Sequence, residues 1–368
     1  MEKQGCEPRI YLAPMEGITT YIFRRAIAKY YGGIDRYYTP FLTASHLKGR
    51  EKRDVLPENN EGLDVVPQIL TNDADLFLEI ARQLAELGYS EVNLNLGCPS
   101  GTVVSKGRGA GFLDRVEDLD RFLDKIFHSI VNITPTGNSS ESNAMSVSIK
   151  TRLGMEFLSE WDDILRVYIK YPIKELIVHP RLRNEFYSRE PHIDKYVRAV
   201  EYMAKYETRY KNHIPLCYNG NITDIESYDD TLCKLRDTGS AYYNQYANYY
   251  DSYDTHSNQE DNKQSIMIGR GLIMNPNLAR AIKYHEEHPE QDSSDIAGLE
   301  WDKTFKAFIT EIMENYREEM SGDKQVVMKM KELWTYFAPG LGLDRKLLKE
   351  IHKSRNLDEY KNALSMIM

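Results

Sequence analysis

Eight short β-rich runs, separated by helical stretches, limit this chain to very few folds. The runs are residues 10–15, 36–41, 65–70, 92–96, 147–152, 176–180, 215–219 and 266–269. Several are nearly continuous apolar segments, the pattern of parallel strands covered on both faces. Amphipathic patterns lie between them. In 73–87, Leu76, Phe77, Ile80, Leu84 and Leu87 share one face, Asn72 or Asp73 is placed to cap the start, and Gly88 to stop the end. Residues 116–131, 161–171, 193–206, 225–235 and 276–285 read the same way. Eight strands with helical returns are the count of a (β/α)8 TIM barrel, an α/β fold. The competing doubly wound sheet is marked by GxGxxG after its first strand, and Ala13-Pro14-Met15-Glu16-Gly17 is a different sequence.

Two stretches interrupt the alternation. Residues 134–144 are a polar run of turn-formers, expected as a surface excursion away from the active loops. Residues 239–264 are biased to Tyr, Asn and Asp, expected as a disordered or loosely packed insertion, with base stacking by its tyrosines as the alternative. From about 298 only helical patterns remain, at 301–317, 325–336, 345–354 and 357–368. The expected organisation is a barrel over 1–297 and a small helical C-terminal domain over 298–368, within the size such chains reach.

Four cysteines, Cys6, Cys98, Cys217 and Cys233, form no CxxC pair and no disulfide-like spacing. That points to a reducing compartment and away from a zinc site, so no metal is expected. Neither a signal-like apolar core nor a bilayer-length apolar run is present, and a cytoplasmic protein is expected. The net charge of -9 gives no global sign of a nucleic-acid partner, so any such site must be local. Within 321–355 there are eight Lys or Arg against four Asp or Glu. Lys324, Lys329, Lys331, Arg345, Lys346 and Lys349 are candidates for phosphate contacts there, a solvated helix face being the alternative.

In a barrel, chemistry collects where strands end. The ends here offer Ala13, Pro14 and Met15, then Gln68, then Asn95 with Cys98, then Lys150, then His179 with Arg181. The last two runs end in Asn219-Gly220-Asn221 and Gly269-Arg270-Gly271, where backbone N–H groups and a guanidinium suit a phosphate. The Gly-Cys-Pro turn places one thiol at a strand mouth, and 101–111 is so rich in glycine that a long mobile loop, not a helix, is expected to carry it. Taken singly each residue has a bland reading: Cys98 a small buried hydrophobe, Lys150 a snorkelling side chain, His179 a core histidine.

In this order the residues resemble the tRNA-dihydrouridine synthases. The resemblance rests on Ala13-Pro14-Met15-x-Gly17, Pro67-Gln68, Asn93-x-Asn95-x-Gly97-Cys98-Pro99 with its Gly-rich loop, Lys150-x-Arg152, His179-x-Arg181, Asn219-Gly220 and Ile268-Gly269-Arg270-Gly271, and runs from about residue 9 to 280. The sixth element departs from the family, reading His-Pro-Arg-Leu rather than His-Gly-Arg-Thr. The resemblance implies an FMN-containing barrel with a tRNA-binding helical domain, reducing the C5–C6 bond of D-loop uridines with NADPH as reductant. It implies Cys98 as general acid to C5 and hydride delivery to C6. It implies flavin contacts by Ala13, Pro14, Met15, Gln68, Lys150 and His179, and phosphate contacts by Asn219, Gly220, Asn221, Gly269 and Arg270. Asn95 and Arg181 are substrate candidates, and Lys106 and Arg108 of the Cys loop are in reach of the nucleotide. The alternatives are an FMN barrel acting on a free pyrimidine, of dihydroorotate dehydrogenase type, and a non-catalytic tRNA-binding module. A Schiff-base aldolase using Lys150 gives the Cys loop no purpose.

Overall fold

The computed structural model describes residues 8–136, 144–238, 265–291 and 298–367. Its frame is one parallel sheet: β1 (Arg9–Leu12), β2 (Arg36–Tyr38), β3 (Val65–Val66), β4 (Gln68–Ile69), β5 (Glu91–Leu96), β6 (Ser146–Arg152), β7 (Leu176–His179), β8 (Leu216–Tyr218) and β9 (Ser265–Ile268). The order is β3-β2-β1-β9-β8-β7-β6-β5-β4. β3 and β4 are one extended stretch broken at Pro67, which has no N–H to give to a ladder. The Pro67 carbonyl still accepts from Asn93 N at 2.8 Å. Leu42, just past β2, pairs in parallel with Ile69. Its N–H donates to the Gln68 carbonyl at 2.8 Å and its own carbonyl accepts from Leu70 N at 2.9 Å. These bonds join the two ends of the ladder. Counting 65–69 once, the result is the eight-stranded barrel expected from the sequence.

Most runs ended sooner as strands than the apolar pattern suggested, because their last residues turn into the loops of the mouth. β1 stops at Leu12, although Ala13 N still donates to the Ile268 carbonyl at 2.9 Å. The returning helices are α1 (Tyr21–Tyr30), α2 (Gly49–Val55), α3 (Ala74–Glu86), α4 (Gly101–Val104), α5 (Val116–Ile130), α6 (Glu160–Tyr168), α7 (Ile193–Tyr210), α8 (Ile225–Asp237), α9 (Arg270–Met274) and α10 (Leu278–Glu287). Asp73 caps α3, accepting from Asp75 N and Leu76 N. α1 and α2 were not among the expected helices. α1 buries Ile22, Phe23, Ala26 and Ile27 along one face, a pattern the sequence carries. Residues 101–111 correct an expectation: they form α4 and a 3-10 turn, Gly109–Phe112. Ala110 and Phe112 are buried, and this packing outweighs the glycine content, while Gly107 and Gly109 supply the positive φ between the two turns. The expected excursion at 134–144 and insertion at 239–264 fall wholly or mostly outside the described residues.

Inside the barrel the side chains form layers. At the N-terminal end Arg36 pairs with Asp64 at 2.8 Å and Glu91 at 3.1 Å, while Glu175 accepts from Ser265 Oγ at 2.7 Å. Above lie Tyr11, Ala13, Tyr38, Val66, Ile177, Cys217 and Met267, all buried. The C-terminal end is left to polar groups.

Four more helices follow: α11 (Lys303–Glu319), α12 (Asp323–Gly340), α13 (Arg345–Lys353) and α14 (Leu357–Leu364). They share one apolar core with the barrel. Phe308 meets Phe23 and Tyr31 of the barrel at ring distances of 5.9 and 5.3 Å, and Phe305 and Phe337 of its own region at 5.9 Å each. Thr20 and Tyr316 share a hydrogen bond of 2.9 Å between hydroxyls. Among the described residues no helix is long and apolar enough to cross a membrane, and no group of His, Cys, Asp and Glu could hold a metal.

Candidate active site

The mouth of the barrel holds a pocket of about 240 Å³, into which Asn95, Cys98, Lys150, Arg152 and His179 all open. Four polar side chains fix its floor. Asn95 Nδ2 donates to Gln68 Oε1 at 2.7 Å, Gln68 Nε2 to Asn93 Oδ1 at 2.8 Å, and Asn93 Nδ2 to Ser148 Oγ at 3.0 Å. The other end of this ladder shapes the thiol turn. Asn95 Oδ1 accepts from Gly97 N at 3.0 Å and Cys98 N at 2.9 Å. Asn95 is thus already engaged in positioning Cys98, and Gln68 is fully buried within the ladder. Ser148 was not singled out in the sequence and Asn93 only as part of the Cys98 motif, although the period of two placed both on the face shared with Asn95 and Lys150.

Arg152 ties three elements together. Its Nε donates to the Gly97 carbonyl at 3.0 Å and Nη1 to Leu182 O at 2.9 Å. Both terminal nitrogens reach Phe186 O, at 3.2 and 3.1 Å. Phe186 has φ 48°, a conformation costly for a residue with a side chain, so these bonds hold a strained turn in place. The turn presents Tyr187, 51% exposed, on the pocket rim, with Arg152 at 5.6 Å and Arg270 at 4.5 Å from its ring centre.

The pocket sets Lys150 and Arg152 deep inside and the carboxylates Glu16 and Glu332 in its lining, and burial decides how the inner charge is carried. Desolvation and the neighbouring Arg152 pull Lys150 down to about 7. Desolvation, then Arg152, Lys150, Arg181 and Arg270, hold His179 well below its ordinary value, so its ring is neutral at pH 7. Desolvation pushes the Cys98 thiol up, opposed by the Ser100 backbone N–H and Arg152. Cys98 is therefore a protonated thiol at neutral pH. That is the form that can give a proton away, not the thiolate that attacks.

Beyond Tyr187 lies a larger cleft of about 1010 Å³, lined by Tyr218, Asn221, Arg270 and the segment 189–194. Arg270 Nη2 donates to Asn221 Oδ1 at 3.0 Å, and Asn219 Nδ2 to the Met267 carbonyl at 2.8 Å. Gly271 has no room for a Cβ, which would overlap the Ile222 carbonyl; this close approach packs the last two strand ends together. Gly269 lies against Ala13 and Met15, whose atoms stand 3.4 and 3.5 Å from where its Cβ would be. Arg181 is fully buried, and its three guanidinium nitrogens lack any hydrogen-bond partner. It lies in the fields of Glu190 and Arg270.

The remaining candidates are spread outward. Lys106 is exposed and Arg108 half-buried on the Cys loop. Lys329 is paired with Glu332 at 2.7 Å, and Lys331 donates to the Ser354 carbonyl, so both are engaged within the C-terminal region. Lys324, Arg345, Lys346 and Lys349 are exposed. Glu16, Phe41, Glu332 and Tyr336 also line the pocket and were not anticipated. Two of them come from α12, more than 200 residues beyond Cys98 in the chain.

A closed parallel barrel with a protonated thiol among cations at its C-terminal mouth has the build of a barrel enzyme. Comparison with known proteins gives its kind. The model of the family Dihydrouridine synthase (Dus) matches residues 11–239. A probable tRNA-dihydrouridine synthase of Staphylococcus epidermidis is 26% identical over 296 residues, 79% of this chain and 76% of the relative. Probable tRNA-dihydrouridine synthase 2 of Bacillus subtilis is 25% identical over 296 residues, with the same coverage. The chain belongs to the dihydrouridine synthase family, an oxidoreductase family, and it is an enzyme.

Proposed function

We propose that this enzyme reduces the C5–C6 bond of uridines in the tRNA D-loop, using FMN and NADPH, with Cys98 as the acid that protonates C5. The observation that carries the reading is the Cys98 thiol, kept protonated by burial, on a turn fixed by the Asn95 carboxamide, in the pocket that Lys150 also lines. When bound, FMN supplies to uracil C6 the hydride taken from NADPH, which no side chain can donate.

The residues fit that group. Arg181 is a buried cation without a partner, a costly state that an anion nearby relieves. Asn219, Gly220, Asn221, Gly269 and Arg270 would hold the phosphate end beside it. Ala13, Pro14 and Met15 would pack on the ring system. Lys150 would meet its polar edge, with Gln68 fixing the floor beneath. A lysine titrating near 7 shares a proton readily with a group whose charge changes during the reaction. His179, being neutral, adds no further charge there.

The target base must leave its stack to reach Cys98, at about a few kcal/mol. Contacts by the helical region, 298–368, and by Lys106 and Arg108 would offset that cost. Cys98→Ala tests the assignment. The variant is expected to stay yellow and remain reducible by NADPH, while dihydrouridine formation, read by mass spectrometry of tRNA, falls by about 10²–10⁴-fold. Unchanged turnover would remove the acid from the scheme.

A further inference from the structure

A carboxylate accepts hydrogen bonds and donates none. Glu332 nevertheless lines the pocket that a polyanion must enter, alongside Glu16. Glu16 is paired with Arg50. Glu332 uses Oε2 for Lys329 at 2.7 Å, while Oε1 stands 3.7 Å from where a Cβ on Gly17 would be, over the loop that follows β1. Its placement is not that of a loose surface acid. Lys329, Glu332 and Tyr336 form one stripe of α12, at spacings of three and four residues. Met330, Leu333, Trp334 and Phe337 on the same helix are buried, which fixes its rotation. Trp334 Nε1 donates to Tyr360 OH at 2.8 Å, holding the helix from behind.

Phosphates repel such a carboxylate, so it belongs in this pocket only where the nucleotide brings a donor to it. A uridine inside an RNA chain has two donors, the base N3–H and the ribose 2′-hydroxyl. The base has to travel inward to the strand ends that carry Asn95, Cys98 and Lys150. The sugar stays with the backbone at the mouth, under α12, where Glu332 stands half-exposed.

We propose that Glu332 is a specificity-determining residue whose carboxylate accepts a hydrogen bond from the 2′-hydroxyl of the target nucleoside. The C-terminal helix then reads ribose while the barrel reads the base. The 2′-hydroxyl is what distinguishes RNA from DNA at a single site. The proposal rests on the tRNA-uridine reading above.

The test uses the full-length holoenzyme and two tRNAs, one all-ribose and one with a single 2′-deoxyuridine at the reduced position. In the wild type the deoxy substitution is expected to lower kcat/KM by about tenfold or more, the range of a hydrogen bond to a charged group. Glu332→Ala is expected to lose a similar factor on the all-ribose tRNA and to show little further loss on the deoxy one. Glu332→Gln, which keeps a neutral acceptor, falls between. Equal deoxy penalties in wild type and Glu332→Ala overturn the proposal, as does a wild type indifferent to the substitution. A wild type that reduces neither tRNA overturns the functional reading as well.

Discussion

Lys150 sits in a setting far from that of an ordinary lysine. In an unfolded chain a lysine titrates near 10.4, whereas here it titrates at about 7. Between those values the unfolded chain holds a proton that the folded one lacks, so stability rises with pH across that window. Below pH 7 the destabilisation is complete, and toward pH 10 it vanishes. Lys150→Met should therefore raise the melting temperature of flavin-free protein at pH 7, and the gain should shrink steadily by pH 10. A gain independent of pH would mean that the ammonium is solvated. Lys150, Cys98 and His179 were legible in the sequence because each stands at the end of a β-rich run. What they do depends on groups that alternation alone does not assign. Ser148 reads as an anonymous strand residue, and Asn93 as a motif member without a role, until their neighbours across the barrel are known. Arg152, read only as part of a motif with Lys150, proves to be the tie between the Cys turn and the rim of Tyr187.

Among elements, helices with a sustained apolar face were mostly legible, and α3 most plainly, because Asp73 and Gly88 mark its ends, whereas α1 was missed despite its apolar face. Several short elements were not legible. Pro67 splits a strand whose apolar pattern runs straight through it, and α4 forms in a glycine-rich stretch because Ala110 and Phe112 are buried beside it. The basic C-terminal segment shows the same limit. A charge count gives every lysine equal weight, but packing assigns Lys331 to the Ser354 carbonyl and leaves Lys346 and Lys349 on the exposed side of α13. Lys346→Gln and Lys349→Gln are expected to weaken tRNA binding and to lower the slope of log affinity against log salt by about one each. Lys331→Met should leave that slope unchanged. Titrations at several salt concentrations separate the two classes.

For the molecule as a whole, the change from alternating to purely helical pattern near 298 was visible, but the intimacy of the two regions was not. Phe308 is surrounded by aromatic rings from both, so its neighbours are set by tertiary packing rather than by anything local. Phe308→Ala should cost about 3–5 kcal/mol. Calorimetry should show one transition moving down, because the barrel and the helices share that core. Two separated transitions would mean that the regions melt independently.

One small feature links the pocket to the cleft. Gly340, at the end of α12, leaves no room for a Cβ against the carbonyl of Met274, and Met274 closes the short helix that Arg270 opens. The helix bearing Glu332 therefore rests directly on the turn bearing Arg270. A methyl group at residue 340 would pry them apart, tilting the roof of the pocket while leaving the barrel strands untouched. Grip on one ligand and aim at the other are geared through a single backbone contact, so neither is free to drift alone.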